Sequence, residues 1–240
     1  MPRLGRSQPF KPRLGRPDLG PVYFDNSSVS PYEASISTYN WSHTVGSNNN
    51  RLLVVGVSIF VSGSVTSIDY GGVALTKLRD DVSIYRSELW YLIAPASGTA
   101  SITVNLSGSL VSIAGAASWW NVDQTTPFSA NNGNADTGVP CVASVTPTSN
   151  LNRVFGNLSA QTASGVTNQV DQAPHYTATG ALGTIFGSEL GIILTQESTV
   201  LQWDGIGVAD AWAISLGSIQ PPQAVAVTAT QLLMLMGMGS

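Results

Sequence analysis

The sequence predicts an all-β protein: a single β-sandwich of jelly-roll type (22–220) between an extended basic N-terminal arm (1–21) and an apolar C-terminal tail (221–240). Three observations point there. Charged residues make up only 10% of the 240-residue chain, against roughly a quarter in ordinary soluble domains, so much of the surface must consist of neutral hydroxyls. From residue 22 onward, short β-branched and aromatic runs alternate with Gly, Asn, Ser and Pro. No stretch carries the 3.6-residue apolar period with caps that marks a helix.

The elements follow in order. RLLVVGVSIFV (51–61) is too apolar for a strand with one wet face and predicts a central strand buried on both sides, entered from the polar turn GSNNN. Residues 65–78 predict a hairpin, because Gly71 and Gly72 supply the positive φ angles of a tight turn. Residues 83–108 predict two strands around Pro95 to Gly98. Residues 110–123 predict another, whose Ala and Gly residues imply close approach of a neighbouring backbone. The second half adds strands at 141–147, 152–160, 165–170, 190–197, 199–205 and 210–219, with a Gly-rich stretch at 180–187; NNGNADTG (131–138) is expected as a loop. About a dozen strands at this spacing suit a sandwich whose halves are complementary.

A chain of this length buries roughly 70–75% of its unfolded surface and needs no disulfide. Cys141, the single cysteine, is expected as a small apolar residue of the body, with no metal or cofactor built on it. The N-terminus lacks the apolar core of a signal peptide, and no apolar run reaches the ~18 residues of a membrane span. Synthesis in a cytoplasm, without a membrane partner, is the expectation. Asn26, Asn40, Asn105 and Asn157 each begin an Asn-x-Ser triplet, expected as chance matches in a Ser-rich chain.

Charge is distributed unevenly. Arg3, Arg6, Lys11, Arg13 and Arg16 are five of the ten basic residues, and no acid precedes Asp18, so residues 1–17 are +5 and the remainder −9. PRLGR occurs twice, at 2–6 and 12–16, and five prolines favour extended geometry. At about 3.1 Å per residue, such an arm reaches on the order of 60 Å. Nucleic acid is disfavoured as its target: the arm holds one aromatic, Phe10, and the acidic remainder repels phosphate. A partner protein with surface carboxylates fits better. At the other end Leu232, Leu233, Met234, Leu235, Met236 and Met238 form an adaptable apolar strip suited to an irregular groove on the same subunit or a neighbour.

Catalytic chemistry finds little footing. A Ser/His/Asp set would need His43 or His175, there is no G-x-S-x-G elbow, and His43 falls within an expected strand. Asp80, Asp81, Glu88, Asp123, Asp204 and Asp210 are the carboxylates available to a glycosidase, and their ordinary roles at strand ends and loops account for them. NNGNADTG lacks the full spacing of a calcium loop. Trp119 and Trp120 are adjacent on an expected strand, so one faces the core while the other is free to stack on a sugar or another subunit.

RLLVVGVS, IDYGGVALTKL, ELWYLIAPASGTASITVNLSG and AGAASWWNVDQTTPF, spanning roughly 35–128, together with AWAISLGSI as a closing strand, resemble a β-sandwich module of phage and prophage structural proteins. The Pro-rich basic leader is similar to those on such virion proteins. The resemblance implies a non-enzymatic, homo-oligomeric component of a tailed-phage particle, made in the host cytoplasm and located in the virion. Its expected role is a capsid decoration or cement protein, lashed by its arm to the major capsid protein or another virion protein. The alternative it implies is a tail or fibre adhesin binding host-surface glycan.

Overall fold

The computed structural model describes residues 20–60, 62–161 and 165–223. Among them are sixteen strands and no helix. The first half contains β1 (Tyr23–Val29), β2 (Glu33–Val45), β3 (Leu52–Ile59), β4 (Val65–Tyr70), β5 (Val73–Ala74), β6 (Thr76–Val82), β7 (Arg86–Ile93) and β8 (Gly98–Trp120). The second contains β9 (Phe128–Thr137), β10 (Cys141–Val145), β11 (Asn152–Ala160), β12 (Thr167–Asn168), β13 (Gln172–Thr179), β14 (Thr184–Ile193), β15 (Thr199–Asp204) and β16 (Ala211–Ile219). The fold is an all-β sandwich of antiparallel sheets, as the residue pattern predicts, and its layers are more numerous than two.

The 23-residue β8 organises the first half. β1 and β2 run one after the other along one edge of it, from Tyr23↔Trp120 to Val45↔Gly98, while β3 and β4 pair along the other. One core joins Ile102, Val104 and Leu106 of its first part to Leu53, Val55 and Val57 of β3. For those side chains to meet, β8 must fold over between 106 and 112. Irregular register at Glu33/Ile36, Ile36/Thr38 and Val65/Ser67 accommodates the corner, as bulges do where a strand passes between layers.

The result is four layers around three cores. The outer layer β2-β8-β4-β5 packs on β1-β8-β3-β7-β6. That inner layer packs in turn on β13-β14-β11-β16-β9 through Leu52, Val54, Ile113, Trp119, Phe155, Tyr176 and Ile219. The far face of the second inner sheet meets β10-β15-β12 through Leu158, Trp203, Trp212 and Leu216. β3 and β16 therefore have no exposed residue, which explains their largely apolar runs.

Gly56 and Gly115 are register partners on β3 and β8, and together they form a dimple for the Tyr176 ring of the opposite sheet. A Cβ at Gly115 or Gly56 would lie 2.3 Å from a Tyr176 side-chain atom. The close approach expected of the 110–123 segment is thus to an aromatic ring. Its hydroxyl donates to Asn157 Oδ1 at 2.9 Å, and Asn157 in turn donates to Ser87 across the same interface.

Two expectations are corrected. The two strands expected at 98–108 and 110–123 are the single β8, because the corner bends the strand without ending it. NNGNADTG is not a loop but most of β9. Asn132 and Asn134 donate to the Ser144 and Val142 carbonyls, so side-chain amides bridge β9 to β10 of the next sheet. Gly133 leaves room for Asp81, which reaches Ser215 at 2.7 Å. The Gly71-Gly72 hairpin forms as expected, with φ of 58° and 83°.

Candidate functional site

Arg3, Arg6, Lys11, Arg13 and Arg16, and the strip Leu232, Leu233, Met234, Leu235 and Met236, lie outside the described residues, but the roots of both segments are described. One short connector between β8 and β9 holds both. Asn121, turned by a φ of 57°, donates its side-chain amide to the Gly20 and Pro21 carbonyls at 2.9 and 3.0 Å. Asp123 N–H donates to the Gln220 carbonyl at 2.9 Å, and Gln220 N–H returns a bond to Pro127 at 2.9 Å. The Gln220 side chain also donates to Thr126 and accepts from Ser149. Arm and tail therefore leave the body at the same end.

The arm root is tied to the centre of the stack. Val22 is fully buried, and its carbonyl accepts from Arg153 Nε at 2.6 Å. The Arg153 guanidinium pairs with buried Glu189, which also accepts from Trp119 Nε1 at 3.2 Å and lies 3.3 Å from His175 Nε2. Burial pushes the Glu189 carboxyl up, but His175 and Arg153 outweigh it and hold it below the usual range.

Every base of the described body is engaged. Lys77, Arg79, Arg86 and Arg153 pair with carboxylates, and Arg51 donates to the Pro95 and Asn48 carbonyls. Thirteen acids and five bases lie between residues 20 and 223, so this span is −8. The five arm cations are the chain's remaining basic groups.

Trp119 is the core tryptophan, packed edge-on against Phe155 at 5.0 Å. Trp120 is half-buried and stacks on Tyr23 at 4.2 Å and 14°, beside the arm root. Strand alternation places the two rings on opposite faces as expected, and only Trp120 is available for contact.

The histidines sit in polar networks within the body. Trp41 Nε1 donates to Ser28 Oγ at 3.0 Å, and Ser28 Oγ lies 2.8 Å from His43 Nδ1. His43 Nε2 is 3.3 Å from Ser118 Oγ, which donates to Asp25 at 2.8 Å. Because Ser118 gives its proton to Asp25, it can only accept from Nε2, so the neutral imidazole carries its proton there and Ser28 donates to Nδ1. Burial lowers the His43 pKa to about 4, against the opposing pull of Asp25. A base so weak is ill suited to activating Ser28 near neutral pH.

Each carboxylate weighed above has a structural partner. Asp80 pairs with Arg86, Asp81 with Arg79 and Ser215, and buried Glu88 with Lys77, Trp90 Nε1 and Val65 N–H. Asp123 caps Thr125 and Thr126, Asp204 accepts from Gln202, and Asp210 accepts from Gly207. Cys141 is buried, and burial raises its thiol pKa. Among the described residues no group of three or more His, Cys, Asp or Glu is arranged to hold a metal ion.

Sequence reasoning identified both terminal segments and missed what anchors them. Asn121 and Gln220 resemble ordinary loop polars, and Arg153 precedes an apolar run with no sign of its buried partner. No protein-family model matches the chain, and neither does any curated protein or solved structure.

Proposed function

We propose that the protein is a structural subunit of a tailed-phage virion, a capsid cement, attached from one end by its basic arm. The observation that carries this reading is the common rooting of arm and tail on the 121–127 connector. A rigid stack with both interaction segments at one end is suited to standing on a surface and holding its neighbours. With the body's own bases engaged, the arm is left to pair with carboxylates of the major capsid protein or another virion protein. Arg offers such partners paired donors, and Pro limits the entropy lost on ordering. The polar networks around His43, Glu88 and Glu189 serve to lock the layers together, and no chemistry is required of them.

Trp120 lies at the rooted end, which favours its use as a subunit contact. The adhesin alternative would call for a glycan-reading surface at the end remote from the attachment.

Deleting residues 1–19 is expected to leave a folded body and abolish attachment to particles, and Arg3→Glu with Arg13→Glu is expected to weaken it strongly. Co-sedimentation with particles lacking the protein reads both. Full occupancy by the deletion variant would refute the arm-attachment reading.

A further inference from the structure

An edge strand turns a row of N–H and C=O groups outward and invites another strand, and proteins blunt such edges with charge, proline, bulges, brevity or cover. Most edges of this fold are blunted in one of these ways. β5 and β12 have two residues each. β6 carries Lys77, Arg79, Asp80 and Asp81. β13 contains Pro174 beside a bulge, and its His175 carbonyl accepts from Ser27 of β1 at 2.7 Å, so those two edges close on each other. β9 and β10 are bridged by the Asn132 and Asn134 amides.

β2 is the exception. It pairs with β8 on one side, and no described strand pairs with it on the other. From Thr38 to Val45 its register is regular, and residues 34–45 contain no Asp, Glu, Lys, Arg or Pro. The bonding of β8 fixes which groups of β2 face outward. The Ser101 carbonyl accepts from Gly71 N–H at 2.9 Å, on the β4 side, so Ser101 and its register partner Ser42 form a non-hydrogen-bonded pair. Ser42 therefore turns its N–H and C=O away from β8, and alternation does the same for Thr38, Asn40 and Thr44. Thr44 is capped, because its carbonyl accepts from Asn26 Nδ2 at 3.0 Å. The open stretch is Thr38, Asn40 and Ser42, whose side chains are all exposed.

We propose that this edge pairs with the same edge of a second copy of the chain, antiparallel about a two-fold axis at Asn40. Asn40 then faces Asn40 of the second copy and Thr38 faces Ser42, each pair exchanging both N–H···O bonds, while Thr44 and its Asn26 cap lie outside the paired stretch. Three features select a second copy as the occupant. The two-fold sets every open group against an open group, so the edge is its own complement. The stretch is neutral, and the nearest charge on the strand, Glu33, lies beyond the bulges, so two copies bring no like charges together at the axis. Side chains already link the strands of this face in rows: Thr38 donates to Asn105 at 3.0 Å, Asn105 donates to Ser67 at 3.0 Å, and the Thr44 and Thr99 hydroxyls are 2.7 Å apart. Asn40 amides, each both donor and acceptor, continue that pattern across the axis. The outer layers of the two copies become one continuous sheet. This goes beyond attachment to a particle, and neither arm nor tail takes part in it.

The test is sedimentation equilibrium on the full chain and on variants of one face. Asn40→Lys sets two like charges against each other at the axis, and Ser42→Pro removes an outward N–H that β8 does not use. Ser101→Lys puts the same charge on the same exposed face, on β8 and away from the edge. Wild type is expected to form a dimer that dissociates on dilution. Asn40→Lys and Ser42→Pro are each expected to dimerise at least tenfold more weakly, and Ser101→Lys as wild type does. Near-ultraviolet circular dichroism confirms that the variants remain folded. Mixing Asn40→Lys with Asn40→Asp should restore a dimer, because the axis places these two positions opposite each other; no restoration overturns the pairing about Asn40. A wild type monomeric up to ~1 mM overturns the proposal, as does a dimer that survives in Asn40→Lys and Ser42→Pro. Equal weakening by Ser101→Lys would mean that copies stack face to face and overturns it too. So does a dimer that appears only after residues 1–19 or 224–240 are deleted, since a segment of the same chain would then fill the edge. Deleting residues 1–19 should leave this dimer intact while abolishing attachment to particles, so the two readings fail separately.

Discussion

Acid should destabilise the body through His43 before it does so through the carboxylates. His43 is buried and neutral in the folded state with a pKa lowered to about 4, against 6.5 when exposed. As pH falls through 6.5 the unfolded chain takes up a proton that the folded chain refuses until about pH 4. The unfolded state therefore binds more protons across this window, and stability falls on acidification. The displacement amounts to on the order of 3 kcal/mol by pH 4. Glu189 acts in a different window: its carboxyl lies below the ordinary range, so its contribution is present above the unfolded carboxylate pKa and is lost only as pH falls through its folded value. His43→Gln removes the titrating group and keeps a polar side chain between Ser28 and Ser118. Urea unfolding of both proteins between pH 7 and pH 4 should give a stability loss smaller in the variant by about 3 kcal/mol, whatever the offset at pH 7. Nitrogen NMR should find the His43 imidazole neutral with its proton on Nε2 until the pH approaches its folded pKa. Parallel stability curves for the two proteins would refute the reasoning.

Other expectations test the interface between the inner sheets and the arm root. Gly115→Ala drives a methyl group into the Tyr176 ring and should cost about 1–3 kcal/mol in denaturant unfolding; in combination with Tyr176→Ala its further cost should largely vanish. Arg153→Met strands the buried Glu189 carboxylate and releases the Val22 carbonyl, so a loss of about 3–5 kcal/mol is expected, with Glu189→Gln in the same background restoring part of it. Trp119→Ala should cost about 3–5 kcal/mol, whereas Trp120→Ala should leave thermal stability near wild type and weaken subunit contacts instead.

Strand identity was legible wherever burial made the pattern one-dimensional. β3 is apolar at nearly every position because it has a core on each face, and the Gly71-Gly72 turn carries its φ requirement in its own residues. β9 was not legible, since its stabilising groups are Asn132 and Asn134 amides that a local reading assigns to a loop. Nor was the bend in β8, which depends on β3 packing against the strand's own first half. The same holds for the site. Arm and tail stand out by composition alone, but their common anchorage depends on Asn121 and Gln220 meeting residues about a hundred positions away in sequence. The division of labour between Trp119 and Trp120 was legible as an alternation, and only the packing of Phe155 and Glu189 decided which ring is buried.

The central claim, that this chain is a cement attached from one end, is tested most directly by the temperature at which particles release their DNA. A protein bound across shell junctions adds binding free energy that must be lost before a junction opens, and an arm reaching on the order of 60 Å can engage more than one subunit. Particles lacking the protein should assemble and adsorb to cells normally, release DNA at a lower temperature than complete ones, and recover when purified protein is added back. Depleted particles as heat-resistant as complete ones, or ordinary heads that fail to adsorb to cells, would contradict it.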